Sequence, residues 1–286
     1  MDFNNRVKFY LGSEKFTEKE KIYIKKLLIY YNTDSFINYN NLNIKYYKKG
    51  YDLIHNDHHH ENLYTKPLFK VLQANNKLNI PLFMSVGDLY NETITKPIKI
   101  PVLTKNRIID NDEDCSTILR CFNFERHWKL YYNPPKDMPF EKKSDILYWR
   151  GVTTGTPEKP ANRFDLVKKW FDKKNYIDIG FTEIVQNKHN YYMYVKGRNV
   201  HPSEFLKHKY LLSVEGNDKD SGLNWKLNSN SIVLMAKPRS ISWLMESKLI
   251  PGFHYILLKD DFSDLDEKII WCHNNPLLCK KIIYNA

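Results

Sequence analysis

The chain has 286 residues and a formal net charge of +11. Its 42% hydrophobic and 14% aromatic residues exclude an intrinsically disordered protein, and its length accommodates two domains of ordinary size. Lys and Arg outnumber Asp and Glu by 20 to 15 in residues 1–135 and by 24 to 18 in residues 136–286. This even spread argues against a dedicated nucleic-acid-binding face, and it is compatible with an acidic ligand.

No apolar stretch has the length of a membrane span, and the N-terminus lacks the apolar core of a signal peptide. We therefore expect a cytoplasmic protein without a transmembrane segment. The cysteines form two distant pairs, Cys115 with Cys121 and Cys272 with Cys279, whose spacings match neither zinc sites nor redox motifs. Free structural thiols are expected.

The first predicted element is a helix that begins at a capping box, residues 17–20, and ends near residue 31. The histidine cluster at residues 55–60 indicates a polar loop and not a metal site, because consecutive histidines cannot all face one ion. Two strands are predicted at residues 80–86 and 98–103, and prolines limit the second to an edge or a bend. Asp88 follows the first strand, where its residue type is typical of a turn or a helix cap.

The proline-rich connection at residues 132–139 predicts a domain boundary that separates residues 1–135 from residues 136–286. Beyond it, strands alternate with helices. The strands are predicted at residues 146–149, 176–181, 210–214, 232–235 and 255–258, and the helices at residues 163–171 and 263–271. This alternation indicates a parallel sheet with right-handed crossovers, which is a Rossmann-like α/β domain.

Residues 210–246 form the most informative stretch, a predicted strand, tight turn, helix and second strand. Ser221 and Gly222 are expected to begin the helix, so that its N–H groups and positive dipole end face the carboxyl edge of the sheet. Open α/β sheets bind ligands at such edges, and Lys226 adds a positive charge. The glycine spacing matches neither G-x-G-x-x-G nor a Walker loop, so an ordinary strand–turn–helix unit is the alternative.

The sequence KYLLSVEGNDKDSGLNWKLNSNSIVLMAKPRSISWLME at residues 209–246 resembles the core of glycosyltransferase family 90. That family includes protein O-glucosyltransferases and capsule xylosyltransferases. Further blocks follow the family's order: YWRG and TTG within residues 148–155, Arg163, PGFHY at residues 251–255 and DFSDL at residues 261–265. The resemblance covers residues 80–280.

The resemblance implies a GT-B-type α/β fold, in which two Rossmann-like domains face each other across a cleft and the C-terminal one binds the nucleotide sugar. It implies an inverting glycosyltransferase that moves a sugar, glucose or xylose by preference, from a UDP-sugar to a hydroxyl of a glycan or glycoprotein acceptor. The segment at residues 83–88 resembles the family's strand that ends in the catalytic base, which assigns that role to Asp88. One base suffices for direct displacement, and no metal or other cofactor is expected if basic residues neutralise the diphosphate.

Three basic residues are predicted to converge on the donor diphosphate: Arg150 directly after a strand, Arg163 at the start of a helix, and Lys226. Each of them taken alone is typical of a surface salt bridge. The other donor-binding candidates lie in the same blocks: Gly151, Thr154, Glu215, Gly216, Ser221, Gly222, Glu246 and His254. Glu246 is expected to bind ribose hydroxyls, with a cap or a salt bridge as its alternative. The chain departs from protein O-glucosyltransferases at Glu215 and Lys226, where those proteins tend to have arginine.

Two other functions stay open on the sequence alone. The first is a non-catalytic module that keeps the nucleotide-binding fold for recognition of a glycan or a nucleic acid. The second is a metal-dependent GT-A-type glycosyltransferase, in which Asp110 or Asp218 belongs to a D-x-D-like metal motif. Dense acidic runs are more typical of solvated loops than of metal sites.

Overall fold

The structure is a computed structural model that describes residues 2, 5, 35–39, 42–47, 73–74, 82–85, 102–108, 117–119, 129–197 and 200–286. The chain divides into two compact units. The first comprises residues 1–126 with 239–245, and the second comprises residues 127–238 with 246–286. Several features of the sequence lie outside the described residues: the predicted helix at residues 17–31, the histidine cluster, Asp88, Asp110, Cys115 and Cys121.

The first unit contains a mixed five-stranded sheet. Its strands are β1 Ser35–Tyr39, β2 Leu42–Tyr47, β3 Leu82–Ser85, β4 Val102–Thr104 and β6 Thr117–Leu119, in that spatial order. The β1–β2 and β2–β3 pairs are antiparallel, whereas β3–β4 and β4–β6 are parallel. The strand predicted at residues 80–86 is therefore confirmed. Two further strands, β5 Asn106–Ile108 and β11 Ser240–Ser242, pair in antiparallel fashion and bring a short C-terminal segment into this unit.

The second unit contains a five-stranded sheet in which every neighbouring pair is parallel. Its strands are β7 Ser144–Val152, β8 Ile177–Glu183, β9 His208–Leu212, β10 Ile232–Met235 and β12 Ile256–Leu257, in the spatial order β12-β10-β9-β7-β8. Its α-helices span Lys129–Tyr132, Arg163–Trp170, Pro202–Phe205, Leu223–Leu227, Leu265–Asn274 and Pro276–Asn285. Short 3-10 helices span Phe140–Lys142, His189–Tyr194 and Glu246–Lys248. This parallel sheet with intervening helices agrees with the predicted Rossmann-like α/β domain.

Local sequence explains where these elements begin and what they bury. Asn162 caps the Arg163–Trp170 helix, because its Oδ1 accepts hydrogen bonds from the backbone N–H groups of Phe164 and Asp165 at 2.9 and 2.8 Å. The helix then buries Phe164 completely. All four residues of β10 are buried, as expected for a parallel strand that is covered on both faces of the sheet.

Successive side chains of strand β7 point to opposite faces of this sheet. Trp149 lies in the core cluster that contains Phe181, on what we call the Trp149 face. Tyr148 packs with Phe205 and Leu211 on the other side, the Tyr148 face. The next residue on the Tyr148 face is Arg150.

The C-terminal helix pair closes the core of the second unit. Cys272 and Cys279 are both buried and free, as predicted, and Cys279 Sγ lies 3.5 Å from the backbone carbonyl oxygen of Cys272. None of the helices in the described part of the chain combines the length and the apolarity that crossing a membrane requires.

Candidate functional site

Two loops meet at the carboxyl ends of β7 and β9, and we call residues 153–163 and 213–222 together the β7–β9 edge. The backbone N–H of Gly155 donates to Asn217 Oδ1 at 2.8 Å. The Lys159 ammonium donates to the backbone carbonyl of Asn217 at 3.0 Å. Because carboxyl edges of parallel sheets are the usual ligand sites of open α/β folds, these contacts shape a candidate binding site.

Arg163 joins the two loops through its guanidinium. Nη1 donates to the carbonyl of Val152 and to Thr154 Oγ1, both at 2.8 Å. Nε and Nη2 donate to the carbonyl of Val214, at 3.4 and 3.2 Å. A guanidinium has five N–H donors, so these four bonds leave one N–H of Arg163 without a partner in the part of the chain that the structure describes.

The electrostatic surroundings of Arg163 are acidic. Burial lowers the pKa of Arg163, whereas the carboxylates of Asp220, Asp218 and Glu215 act in the opposite direction. Arginine stays protonated in proteins, so the side chain remains a cation here. Among the described residues, one N–H of this fixed, half-buried cation has no partner and can donate to an acceptor atom of a ligand.

Gly216 allows the two loops to approach closely. A Cβ atom added at Gly216 would lie 2.5 Å from Thr154 Oγ1 and 3.0 Å from Arg163 Cζ. Gly155 faces it with a φ of +94°, and a Cβ atom there would lie 2.8 Å from the Gly216 carbonyl oxygen. The structure therefore brings the predicted residues Thr154, Arg163 and Gly216 together. Gly151 lies beside them in β7, against the Trp149 ring.

Asp220 organises the start of the Leu223–Leu227 helix. Its Oδ1 accepts from the Gly222 N–H at 2.9 Å, and its Oδ2 accepts from Ser213 Oγ at 2.8 Å and from the Lys226 ammonium at 2.6 Å. Burial raises the pKa of Asp220, but Lys226, the Gly222 N–H and Arg163 together outweigh it and bring that pKa to about 2. Asp220 is therefore ionised at neutral pH.

The expectation that Ser221 caps this helix is wrong. The N-cap residue is Gly222, which has no side chain to cap the helix. Ser221 is exposed. The Gly222 N–H that was expected to face an anion donates to Asp220, and the same carboxylate compensates the charge of Lys226. The helix has only five residues, so its dipole adds little.

Arg150 lies within β7, and the prediction that it follows the strand is wrong. It lies on the Tyr148 face, and its guanidinium donates to both carboxylate oxygens of Asp178 at 2.9 Å. Its other N–H groups donate to the backbone carbonyls of Trp149, Asp178 and Lys196. All five donors are thus engaged, and no described contact joins Arg150 to Arg163.

Glu246 is the first residue of the Glu246–Lys248 helix, and its Oε1 lies 3.9 Å from Lys219 Nζ. Both side chains are 1% exposed. This arrangement corresponds to the salt bridge that the sequence left open as the alternative to ribose binding.

His254 closes a turn in the segment that precedes β12. Its Nδ1 accepts from the backbone N–H of Ile250 at 2.8 Å, and its ring contacts the edge of the Phe253 ring. Burial lowers the pKa of His254, which favours the neutral imidazole that this hydrogen bond requires.

The acidic run Asp218–Lys219–Asp220 is the D-x-D-like candidate for metal ligation in the second unit. Both carboxylate oxygens of Asp220 accept hydrogen bonds from protein donors. Within the described ranges, no group of three His, Cys, Asp or Glu side chains is arranged to hold a metal ion.

Two residues that shape the β7–β9 edge were not assigned this role from the sequence. Asn217 links loop to loop, and Asp220 joins Ser213, Gly222 and Lys226. The sequence carries only a weak signal for the role of Asp220, which lies two residues before the N-cap Gly222 and six residues before Lys226.

The sequence model of the family described as Glycosyl transferase family 90 matches residues 126–286. The O-glucosyltransferase LpsA of Dichelobacter nodosus is 32% identical over 209 residues, which cover 72% of this chain and 60% of that protein. Protein O-glucosyltransferase 2 of Danio rerio is 31% identical over 145 residues, which cover 50% of this chain and 28% of that protein. The uncharacterized protein 179R of Invertebrate iridescent virus 6 is 33% identical over 91 residues, which cover 30% of this chain and 8% of that protein. The chain thus spans 60% or less of the length of each of these relatives.

Proposed function

The chain belongs to glycosyltransferase family 90, and from this we propose that it transfers a sugar from a UDP-sugar to a hydroxyl group of a glycan or glycoprotein acceptor. The observation that supports the proposal most directly is the β7–β9 edge. It lies within the residues that the family matches, at the carboxyl edge of a parallel sheet, and Arg163 has one N–H there without a partner among the described residues.

The donor diphosphate is bound, in this proposal, by Arg163 together with Lys159. Lys159 is exposed, and its ammonium already lies at the edge beside Asn217. Arginine and lysine neutralise phosphate oxygens through charge-assisted hydrogen bonds, which can replace a metal ion in that task. The Lys226–Asp220 pair supports the site indirectly, because it fixes residues 213–222.

The reaction is a direct displacement with inversion at the anomeric carbon. Asp88, in the first unit, takes the proton of the acceptor hydroxyl as its oxygen forms the new bond to the anomeric carbon. The bond from that carbon to the diphosphate breaks, and UDP leaves with the electron pair. One base and no covalent intermediate are needed. A GT-B arrangement of the two units accommodates this division of tasks between acceptor and donor.

Glucose is the sugar that we propose first, because two of the similar proteins are named as glucosyltransferases, and xylose is the second choice. The test is to incubate the full chain with UDP-glucose, UDP-xylose, UDP-galactose and UDP-N-acetylglucosamine, with and without EDTA, and to measure UDP release. We expect UDP from the glucose or the xylose donor, unchanged by EDTA.

Three other outcomes would contradict this proposal in different ways. If no donor releases UDP, and if added UDP does not raise the melting temperature, the chain is a non-catalytic module. Release of UDP that strictly requires Mn²⁺ would indicate a GT-A-type enzyme. Release from UDP-galactose or UDP-N-acetylglucosamine alone would keep sugar transfer but refute the proposed donors.

A further inference from the structure

A pocket with a cavity volume of about 580 Å³ opens on the Tyr148 face of the second unit's sheet. Two side chains stack on the Tyr148 ring: the Arg150 guanidinium carbon lies 4.4 Å from the ring centroid, and the His208 ring lies parallel to it at 4.4 Å between centroids. Arg163 lies on the other side of the sheet, where its guanidinium carbon is 5.9 Å from the Trp149 ring. The pocket is therefore separate from the β7–β9 edge.

The charges balance among the described residues that line this pocket. Arg150 and Lys196 are the cations, and Asp178 and Glu204 are the anions. Arg150 has no remaining N–H for a ligand, and Lys196 donates to Asp172 at 2.5 Å and to Asp178 at 3.2 Å. An anionic ligand would thus meet compensated cations, and an apolar ligand would leave polar groups unsatisfied. The lining favours a neutral ligand that forms many hydrogen bonds.

The imidazole of His208 lines this pocket. It is 9% exposed, its Nδ1 lies 2.7 Å from Ser144 Oγ, and its Nε2 has no hydrogen-bond partner among the described residues. Nε2 lies 4.0 Å from Glu204 Oε1, too far for a direct hydrogen bond. The Glu204 side chain is 41% exposed, so it can change rotamer and admit a ligand group to Nε2.

A hydroxyl group matches this pair of atoms better than other ligand groups. The Ser144 hydroxyl has two potential acceptors, the Lys207 carbonyl at 3.2 Å and His208 Nδ1, so Nε2 is an acceptor in the first case and a donor in the second. A ligand hydroxyl can donate to the Glu204 carboxylate or to Nε2, and it can accept from a protonated Nε2. A phosphate oxygen would be repelled by Glu204, whereas an ammonium group cannot accept a hydrogen bond.

We infer that this pocket binds a neutral, hydroxyl-rich ligand, a saccharide unit, with one hydroxyl between His208 and Glu204. The site differs from the proposed UDP-sugar site in position and in chemistry. The inference does not depend on transfer activity, so its test can fail or succeed independently of the proposed function.

The test is saturation-transfer NMR on the full chain with methyl glucoside, methyl xyloside, methyl galactoside and N-acetylglucosamine, recorded with and without excess UDP. We expect at least one of these probes to bind in both conditions. In Glu204→Ala we expect the dissociation constant to rise by about tenfold, the effect of one hydrogen bond to a charged group. Glu267→Ala is the matched control, because Glu267 is exposed on a helix remote in sequence from the pocket.

A second variant, His208→Phe, keeps a ring on Tyr148 and removes Nε2, and we expect the same weakening. Should that variant fail to fold, Glu204→Ala decides alone, because within the described ranges the other ion pair of Glu204 is a surface pair with Lys207. The inference is overturned if none of the four probes binds, if UDP displaces the probe, or if Glu204→Ala binds as tightly as the wild type. It is also overturned if inorganic phosphate displaces the probe.

Discussion

The Lys226 ammonium lies 2.6 Å from the Asp220 carboxylate, in an ion pair whose side chains are only 4% and 12% exposed. Lys226 also donates to the carbonyl of Leu212 at the end of β9, so the pair links the helix to the strand that precedes it. The pair therefore determines the shape of residues 213–222, half of the β7–β9 edge.

Removal of one member of this pair should destabilise the protein. Lys226→Met leaves the Asp220 carboxylate nearly buried without its cation, and we expect the free energy of unfolding to fall by about 3 kcal/mol. The double variant Lys226→Met/Asp220→Asn removes both charges and should recover at least half of that loss. Urea denaturation measures both variants, and a wild-type midpoint for Lys226→Met would contradict the expectation.

The same pair should make stability depend on pH in acid. The pKa of Asp220 is about 2 in the folded chain and about 3.9 when unfolded, so the unfolded chain binds more protons between these values. Stability from this group is complete above pH 5 and is lost as the pH falls toward 2, by about 2 kcal/mol.

Asp220→Asn should remove this part of the pH dependence, as measured by the free energy of unfolding between pH 5 and pH 2. The control is Asp261→Asn. The backbone N–H of Ser263 and the Lys169 ammonium lower the pKa of Asp261 to about 2 as well, but the side chain is 62% exposed, so solvent screens its effect. Equal changes in the two variants would contradict the role of the buried pair.

Arg163 and Arg150 should differ in their contribution to UDP affinity. Arg163 keeps one N–H at the β7–β9 edge, whereas all five donors of Arg150 are engaged on the Tyr148 face. Arg163→Met should weaken UDP binding by about tenfold or more, because a charged hydrogen bond is lost. Arg150→Met should leave the UDP dissociation constant unchanged in folded protein. Calorimetry checks both, and weaker binding by Arg150→Met alone would reverse the assignment.

Gly216→Ala tests the close approach of the two loops. The new methyl group would lie 2.5 Å from Thr154 Oγ1 and 3.0 Å from Arg163 Cζ, so the guanidinium must shift. We expect UDP affinity to fall by about tenfold, comparable to the loss of a charged hydrogen bond. Adding Thr154→Ala removes the nearest atom and should restore part of the affinity. The control is Gly197→Ala, which has open space around it and only backbone strain, at a φ of +71°.

Sequence patterns were informative about the strands and less so about the directions of side chains. Short apolar runs predicted β10 correctly, because a strand covered on both faces is apolar throughout. The position of Arg150 was missed because β7 continues for two residues beyond it, and strand register alone decides which face a side chain occupies. The Lys226–Asp220 pair depends on the path of a loop, for which residue type gives no rule.

Asp88 is the proposed base of the transfer reaction. Asp88→Asn keeps the size of the side chain but cannot accept a proton at neutral pH, so sugar transfer should fall by about 10²–10⁴-fold. UDP affinity should stay near the wild-type value, because in our proposal the second unit binds the diphosphate. A turn or cap aspartate would instead lose about 1 kcal/mol of stability and keep its activity. Transfer, UDP affinity and thermal melting are to be measured on one preparation, with Asp261→Asn as the exposed control. Near-normal transfer by folded Asp88→Asn would assign the base to another acidic residue of the first unit.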